Sequence, residues 1–89
     1  MSVPTLEEIQ ADDLAWKVAR ALKVANGIAT SRGRNLDTSL ITISEESPPP
    51  DRLWRVHYGP RDFISSRGGD LIVVIDENSG VVWKTIRGQ

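Results

Sequence analysis

The sequence predicts a single α+β domain in which one N-terminal amphipathic helix packs on a four-stranded antiparallel sheet. Apolar residues recur at helical spacing in the first third of the chain, and four short apolar segments follow them. These segments have no helix between them, whereas a parallel sheet would need helical crossovers. The 89 residues suit one domain (1–89) with one modest core and the order α-β-β-β-β.

The helix is predicted over about residues 5–27 from its caps and its apolar stripe. Thr5-Leu6-Glu7-Glu8 has the form of a capping box, and Asp12-Asp13 could restart the helix as a second cap. The apolar stripe alternates in steps of three and four through Ala11, Leu14, Val18, Ala21, Ala25 and Ile28. Asn26-Gly27 is typical of a helix end, because both residues tolerate the left-handed conformation.

Four strands are predicted at about residues 38–45, 52–58, 70–76 and 81–87. In the second strand, alternation places one set of side chains on one face and a second set on the other. The two sets are Trp54, Val56 and Tyr58, and Leu53, Arg55 and His57. Leu71 to Ile75 is apolar on both faces, which is expected of a strand in the middle of the sheet.

The connections between strands are predicted from proline and glycine. Residues 45–51 include prolines at 48, 49 and 50 and are expected to form a stiff surface connection that does not pair in the sheet. Gly59-Pro60 is expected to end the second strand. Asp76 to Gly80 is typical of a hairpin turn that opens with Asp and closes with a left-handed Gly.

Composition argues against several classes of partner. Eleven basic and twelve acidic residues nearly cancel, whereas a nucleic-acid binder usually carries a basic excess. The chain has no cysteine, and therefore neither a disulfide nor a thiolate metal site. The N-terminus lacks a signal-peptide layout, and no apolar run approaches the ~20 residues of a membrane span. We therefore expect a soluble, cytoplasmic protein that binds neither nucleic acid nor membrane.

No catalytic, cofactor or metal site is predicted. His57 is the single histidine, and nucleophilic or metal-assisted mechanisms need a second group positioned against it. The acidic pairs at 7/8, 12/13 and 45/46 are sequence neighbours, which diverge on a helix and cannot easily share a proton or a metal. The segment from Asp76 to Gly80 lacks the length and the closing Glu of a calcium loop. We therefore expect that the protein is not an enzyme.

Arginines and exposed aromatic residues predict a protein-binding surface instead. One helix can cover one face of a four-stranded sheet, so apolar residues on the other face need a partner or a second copy of the chain. The residues predicted to bind a partner are Trp16, Arg52, Arg55, His57, Arg61, Arg67 and Trp83. For Trp16, a local cluster with Leu6 and Ile9 is the alternative to a role in binding.

About half of the chain resembles a known family. Trp54-Arg55-Val56, the Gly68-Gly69 pair and the segment from Asp70 to Val82 resemble the small immunity proteins of bacterial polymorphic toxin systems that adopt a nuclear-transport-factor-two (cystatin-like) fold. The resemblance implies a cystatin-like fold, no cofactor, and stoichiometric binding that neutralises a cognate toxin. The chain differs from this family in its single helix and in prolines 48–50.

Three alternatives stay open. The apolar strand and its Asp-to-Gly turn also resemble the PepSY-type domains of peptidase propeptides and secreted inhibitors, which implies an inhibitory or regulatory module in an exported context. A ligand-binding or enzymatic member of the cone-shaped fold would need a polar pocket, for which Tyr58, His57 and Asp76 are few. A structural homodimer would use the free face of the sheet.

Overall fold

The computed structural model describes residues 12–60 and 69–87, and its elements confirm the predicted class and order. Helix α1 spans Asp13–Ser31, and a short 3-10 helix, Leu36–Thr38, leads into the sheet. The strands are β1 (Ser39–Ser47), β2 (Leu53–Pro60), β3 (Leu71–Asp76) and β4 (Val82–Arg87). They form one antiparallel sheet in the order β1-β2-β3-β4.

The core lies between α1 and the two central strands, β2 and β3. The helix contributes a stripe of small buried residues, Ala21, Ala25 and Ala29. The strands contribute alternate residues: Trp54, Val56, Tyr58, Leu71, Val73 and Ile75. Burying one aliphatic or aromatic side chain of this size stabilises the fold by about 1.5–3 kcal/mol, so this face of the sheet holds the domain together.

The described helix begins later than predicted. Asp12 has an extended backbone (φ −87°, ψ 103°), so a continuous helix from residue 5 to residue 27 is wrong. Its carboxylate accepts a hydrogen bond from the amide of Ala15 at 3.1 Å, which makes Asp12 the N-cap. The capping box at residues 5–8 lies outside the described residues.

The predicted helix end at Asn26-Gly27 is also wrong, because α1 continues to Ser31. Asn26 faces the sheet, where its side-chain oxygen accepts a hydrogen bond of 2.6 Å from the Tyr58 hydroxyl. Gly27 is exposed, and apart from its chain neighbours and the backbone of its own helix no atom lies within 4 Å of the position that a Cβ would take there. Both residues therefore occupy ordinary helical positions.

Gly33 ends the helix instead. Its φ of +82° lies in the left-handed region, and its amide donates to the carbonyl of Thr30 at 2.9 Å. The amide of Arg34 donates to the carbonyl of Ala29 at 3.0 Å. These two bonds form a Schellman motif, which satisfies carbonyls that the last turn would otherwise leave unpaired.

Strand β1 is longer than predicted. Glu45 pairs with Trp54 and Ser47 pairs with Leu53, with a bulge between Glu45 and Ser47. The prediction that residues 45–51 do not pair is therefore wrong for Glu45 and Ser47, whereas Glu46 lies in the bulge. The unpaired connection begins with the prolines, and the Pro49–Pro50 peptide bond is cis.

Strand β2 also passes its predicted end. Gly59 pairs with Leu40 and Pro60 pairs with Ser39, so Gly59-Pro60 does not close the strand. Strand β3 pairs with β2 only as far as Tyr58. The end of β2 therefore has a neighbour on one side alone, and a proline without an amide proton is tolerated at such an edge.

The β3–β4 turn confirms the predicted left-handed glycine. Gly80 has φ +72°, and its amide donates to the carbonyl of Asp76 at 2.7 Å. The Asp76 carboxylate accepts from the amide of Asn78 at 2.9 Å, as is typical of Asp at the start of a turn. The Asn78 side chain donates to the carbonyl of Pro50 at 3.0 Å, which joins the β3–β4 turn to the β1–β2 connection.

A buried carboxylate fastens the same turn to the helix. The carboxylate of Glu77 accepts from Trp54 Nε1 at 2.9 Å and lies 3.5 Å from Arg52 Nη1 and 3.8 Å from Lys17 Nζ. Arg20 donates to the carbonyl of Glu77. Burial of this charge is tolerated because cations and a hydrogen-bond donor surround it.

Candidate functional site

The sheet has a second face, on the side opposite α1, which we call the open face. The strand register places on it the residues that alternate with the core: Leu40, Thr42, Ser44, Leu53, Arg55, His57, Ile72, Val74, Lys84 and Ile86. The predicted placement of Leu53, Arg55 and His57 away from the core is confirmed. Among the elements of residues 12–60 and 69–87, none packs against this face as α1 packs against the other.

A bulge in β4 adds Trp83 to the open face. Val74 pairs with Lys84 and Ile75 pairs with Val82, so Trp83 is an extra residue between two paired positions. The Lys84 ammonium lies 4.9 Å from the centroid of the Trp83 ring, so the ring lies beside a residue of the open face. A bulge commonly redirects a side chain in this way, and a cation at this distance from an indole ring is an attractive contact.

Large apolar side chains of the open face are exposed. The exposed fractions are 57 % for Trp83, 51 % for Leu40 and 41 % for Ile86. Val74 is fully buried although it lies on this side. Its strand neighbours there are long cationic residues, Arg55 on β2 and Lys84 on β4. The exposed apolar area therefore comes from the outer strands more than from β3, where the sequence predicted it.

A histidine–aspartate pair lies at one end of the open face. His57 Nε2 and the Asp70 carboxylate are 2.8 Å apart, and both side chains are partly exposed. The pair lies over Gly59, where a Cβ would be 3.0 Å from His57 Cε1. Glycine at this position therefore leaves room for the imidazole ring to lie along the strand.

The Asp70 carboxylate orients the His57 imidazole, and within residues 12–60 and 69–87 no third group completes a catalytic set. Among the hydrogen bonds of the described residues, the imidazole has Asp70 as its one partner, and nucleophilic catalysis needs a hydroxyl or thiol on the other nitrogen. Nowhere in residues 12–60 and 69–87 do three metal-ligating side chains gather. What the arrangement offers is a fixed polar group beside an apolar surface.

The structure brings together three of the seven residues predicted to bind a partner. Arg55, His57 and Trp83 share the open face. Arg52 instead contacts the buried Glu77 carboxylate together with Lys17 and Trp54, a group that we call the Glu77 cluster. The Arg52 guanidinium also lies 5.2 Å from the centroid of the Trp54 ring. Because its side chain is only 17 % exposed, Arg52 serves the fold.

Three of the predicted residues are not on the open face or cannot be assigned to it. Trp16 lies on α1, on the other side of the sheet, and is 47 % exposed. Its alternative cluster with Leu6 and Ile9 falls outside the described residues, and so do Arg61 and Arg67. The predicted partner-binding residues therefore do not form one continuous surface.

Four residues of this region were not predicted: Leu40, Asp70, Lys84 and Ile86. Leu40 and Ile86 alternate with core residues, so the period of two would have placed them on the open face once the strand ends were known. The placement of Lys84 depends on the bulge beside Trp83, and no residue type in the sequence predicts that bulge. Asp70 depends on the pairing of β2 with β3. Each of these assignments needs the strand register.

Comparison with protein-family models, curated proteins and solved structures gives no match. No helix within residues 12–60 and 69–87 combines the length and the apolar character that a membrane crossing requires. Function has therefore to be inferred from the geometry and charge of the open face.

Proposed function

We propose that the protein is a non-catalytic module that binds a partner protein on the open face of its sheet. The observation that carries this proposal is the exposed apolar area formed by Trp83, Leu40 and Ile86. A domain gains little in folding from apolar side chains that remain in water, and exposed apolar patches usually mark a contact surface. Trp83 and Ile86 lie together on β4, and Leu40 lies on β1 at the other edge of the sheet. Tryptophan is also the residue type most enriched where interfaces carry their binding energy.

The charges around the apolar area define the chemistry of the partner. Arg55 and Lys84 are exposed cations on the open face, and the His57 imidazole lies between Ile72 and Thr42 in the register. A complementary partner presents carboxylates opposite Arg55 and Lys84 and apolar groups opposite the outer strands, because charge complementarity raises the association rate and disfavours other partners. We propose a partner of this composition.

The partner class comes from the resemblance of the chain to immunity proteins. On that basis we propose that the partner is a cognate bacterial toxin, which the protein neutralises by stoichiometric binding. Inhibition of this kind needs a surface that covers an active site or an exosite, and it needs no reactive group on the inhibitor. The open face, with its exposed cations and the exposed apolar side chains of its outer strands, supports such a role. A PepSY-like inhibitory module would use the same surface against a peptidase.

A homodimer through the open face is disfavoured by its charges. Two-fold symmetry would bring the two open faces together, so the exposed cations Arg55 and Lys84 of both copies would lie in one interface. Like charges buried across an interface cost several kcal/mol in general. Light scattering of the purified protein is expected to give the mass of a monomer, and a dimer that dissociates on Trp83→Ala substitution would replace the heteromeric proposal.

Co-expression with the product of the adjacent coding sequence tests the partner class. We expect that this product arrests growth when expressed alone, and that co-expression of the protein restores growth and yields a one-to-one complex. A neighbouring product that is neither toxic nor retained by the protein would contradict the toxin proposal. A peptidase that is retained and inhibited would favour the PepSY-like alternative.

Two tryptophans provide a matched test of the surface. Trp83 and Trp16 are both about half exposed, and they lie on opposite sides of the sheet. We expect Trp83→Ala to weaken the affinity for the partner by about 30-fold or more, which corresponds to about 2 kcal/mol. Trp16→Ala is expected to leave the affinity for the partner unchanged. Equal melting temperatures of the two variants would show that both are folded. The reverse pattern would place the partner on the helix.

A further inference from the structure

The two ends of the sheet differ in charge. The end that carries the β1–β2 connection and the β3–β4 turn is rich in carboxylates: Asp12, Asp13, Glu45, Glu46, Asp51, Asp76 and Glu77. The opposite end, where α1 terminates and β4 ends, holds three arginines: Arg32, Arg34 and Arg87. The carboxylate-rich end also holds Lys17, Arg20 and Arg52, which contact Glu77, so its charges are partly paired within the chain.

The three arginines line one cleft. Its volume is about 290 Å³, and its walls include Arg32, Gly33, Arg34, Gly69, Asp70 and Arg87. The left-handed Gly33 lies between Arg32 and Arg34 at the helix end, and both arginines line the cleft. The pairing of β3 with β4 brings Arg87 opposite Leu71, directly after Asp70. The cleft is therefore built by the fold from three separate segments of the chain.

The charges of this cleft are not neutralised by nearby carboxylates. Among residues 12–60 and 69–87, no carboxylate forms an ion pair with Arg32, Arg34 or Arg87. The one acidic wall residue, Asp70, is engaged with His57 at 2.8 Å. Three arginines thus line one cleft whose single carboxylate is already paired.

One of the guanidinium groups is held in place. Arg34 Nη1 donates to the carbonyl of Gly69 at 2.8 Å, which fixes the side chain against the start of β3. Its Nε is shielded from solvent and has no hydrogen-bond partner within the described residues. A guanidinium has five donors, so most of its hydrogen-bonding capacity remains after the Gly69 contact. Fixing the group before a ligand arrives lowers the entropy cost of binding.

We infer that this arginine cleft binds a phosphate-class dianion, either free orthophosphate or the phosphoryl group of a small phosphomonoester. The planar forks of arginine match phosphate oxygens, and charge-assisted hydrogen bonds of this type are stronger than neutral ones. Three unpaired guanidinium groups attract a dianion more strongly than a monovalent carboxylate, because the Coulomb energy scales with the charge. The volume lies at the lower limit of small-molecule pockets and fits a compact group. This site is separate from the exposed apolar residues of the open face and does not depend on a protein partner.

Titration of the ¹⁵N-labelled protein with anions at constant ionic strength tests this inference. Constant ionic strength is required because dissolved salt weakens the interactions between exposed charges, with a screening length of about 10 Å at 0.1 M. We expect orthophosphate and sulfate to shift the amide resonances of Gly33, Gly69 and Leu71 in a saturable manner. Acetate is expected to bind about tenfold more weakly, and chloride is expected to give no saturation.

Two arginines can be removed without disturbing other contacts. Arg32 and Arg87 are exposed, so we expect Arg32→Ala and Arg87→Ala each to weaken orthophosphate binding by about tenfold. Arg55→Ala is the matched control, because Arg55 is an exposed arginine on the open face and not a wall of the cleft. It is expected to leave the affinity unchanged.

Three outcomes would overturn the inference. Equal shifts with orthophosphate and chloride would mean that ions act only through screening. Equal losses in the Arg55→Ala and Arg32→Ala variants would mean that the whole surface acts, and not the cleft. An acetate affinity equal to that of orthophosphate would remove the preference for a dianion. A titration with a small phosphomonoester then separates the two ligand sources, since tighter binding than orthophosphate assigns the cleft to a phosphorylated metabolite.

Discussion

The two faces of the sheet carry similar apolar residue types, but these residues are buried on one face and exposed on the other. On the covered face, Tyr58 and Ile75 are fully buried under α1, whereas on the open face Trp83 is 57 % exposed and Ile86 is 41 % exposed. Apolar burial is the main favourable term in folding, so the covered face supplies most of the stability. The apolar residues of the open face contribute little to folding and remain free to make contacts.

Polar groups follow the same division. On the covered face they are paired within the chain: Trp54 Nε1 donates to Glu77, and the Tyr58 hydroxyl donates to Asn26. On the open face the exposed cation Arg55 has no ion pair among the described residues. A buried polar group has to be satisfied internally, while a surface that meets a partner can keep its charges for that partner.

The largest expected contrast compares two isoleucines. Ile75→Ala removes a fully buried side chain from the core and is expected to lower the free energy of unfolding by about 2–5 kcal/mol. Ile86→Ala removes the same atoms from the open face and is expected to cost less than about 1 kcal/mol. Urea unfolding followed by circular dichroism measures both. Equal losses would mean that both faces serve the fold.

The second prediction concerns the buried carboxylate. Glu77→Ala leaves Trp54 Nε1 without its acceptor and Arg52 without its nearest carboxylate. We expect a loss of about 2–3 kcal/mol in the free energy of unfolding, less than for a fully buried pair because Lys17 is partly exposed. Glu46→Ala, at an exposed position of β1, is the control and is expected to change it by less than about 0.5 kcal/mol. Similar losses in the Glu77→Ala and Glu46→Ala variants would contradict the structural role of the Glu77 cluster.

A smaller effect is expected from the single tyrosine at high pH. Burial on the covered face raises the pKa of Tyr58 to about 12, whereas an unfolded tyrosine has a pKa of about 10. Between these values the unfolded state loses its proton first, so the stability that Tyr58 contributes is complete below about pH 10 and falls as the pH rises towards about 12. Urea unfolding midpoints across this range are expected to fall more steeply in the wild type than in Tyr58→Phe. Parallel slopes would contradict the raised pKa.

The smallest effects distinguish the two glycines of the helix end. Gly33 has φ +82°, so Gly33→Ala is expected to lower stability by about 1 kcal/mol. Gly27 is an exposed helical position with open space around it, so Gly27→Ala is expected to raise stability by about 0.5–1 kcal/mol. Thermal unfolding measures the opposite signs. A loss in both variants would favour the helix end that the sequence predicted.

The sequence predicted the element types and the alternation of β2 because both depend on local patterns. It failed at the helix end because the partner of Asn26 is Tyr58, 32 residues away, and that contact turns a capping residue into an interior one. It failed at Pro60 because a proline is acceptable there only where β3 leaves one side of β2 unpaired. Long-range pairing decides both cases.

The candidate site was predictable only in part. Arg55 and His57 follow from alternation, and their placement on one face needs no long-range contact. The position of Trp83 follows from the β4 bulge, and the arginine cleft requires the ends of α1, β3 and β4 to meet. Arginine is a residue type expected at binding surfaces, yet Arg52 forms an ion pair with the buried Glu77 and belongs to the fold. Residue type therefore predicts that a binding surface exists, and the packing of the fold decides which of these residues are exposed on it.

The most direct test of the role of the open face is quenching of tryptophan fluorescence by acrylamide with and without the partner. In the Trp16→Phe variant, the emission comes from buried Trp54 and exposed Trp83, so Trp83 is the accessible fluorophore. We predict that partner binding removes most of the quenchable emission from this variant and leaves Trp16 quenchable in a Trp83→Phe variant. A complex in which Trp83 stays fully quenchable would contradict binding through the open face.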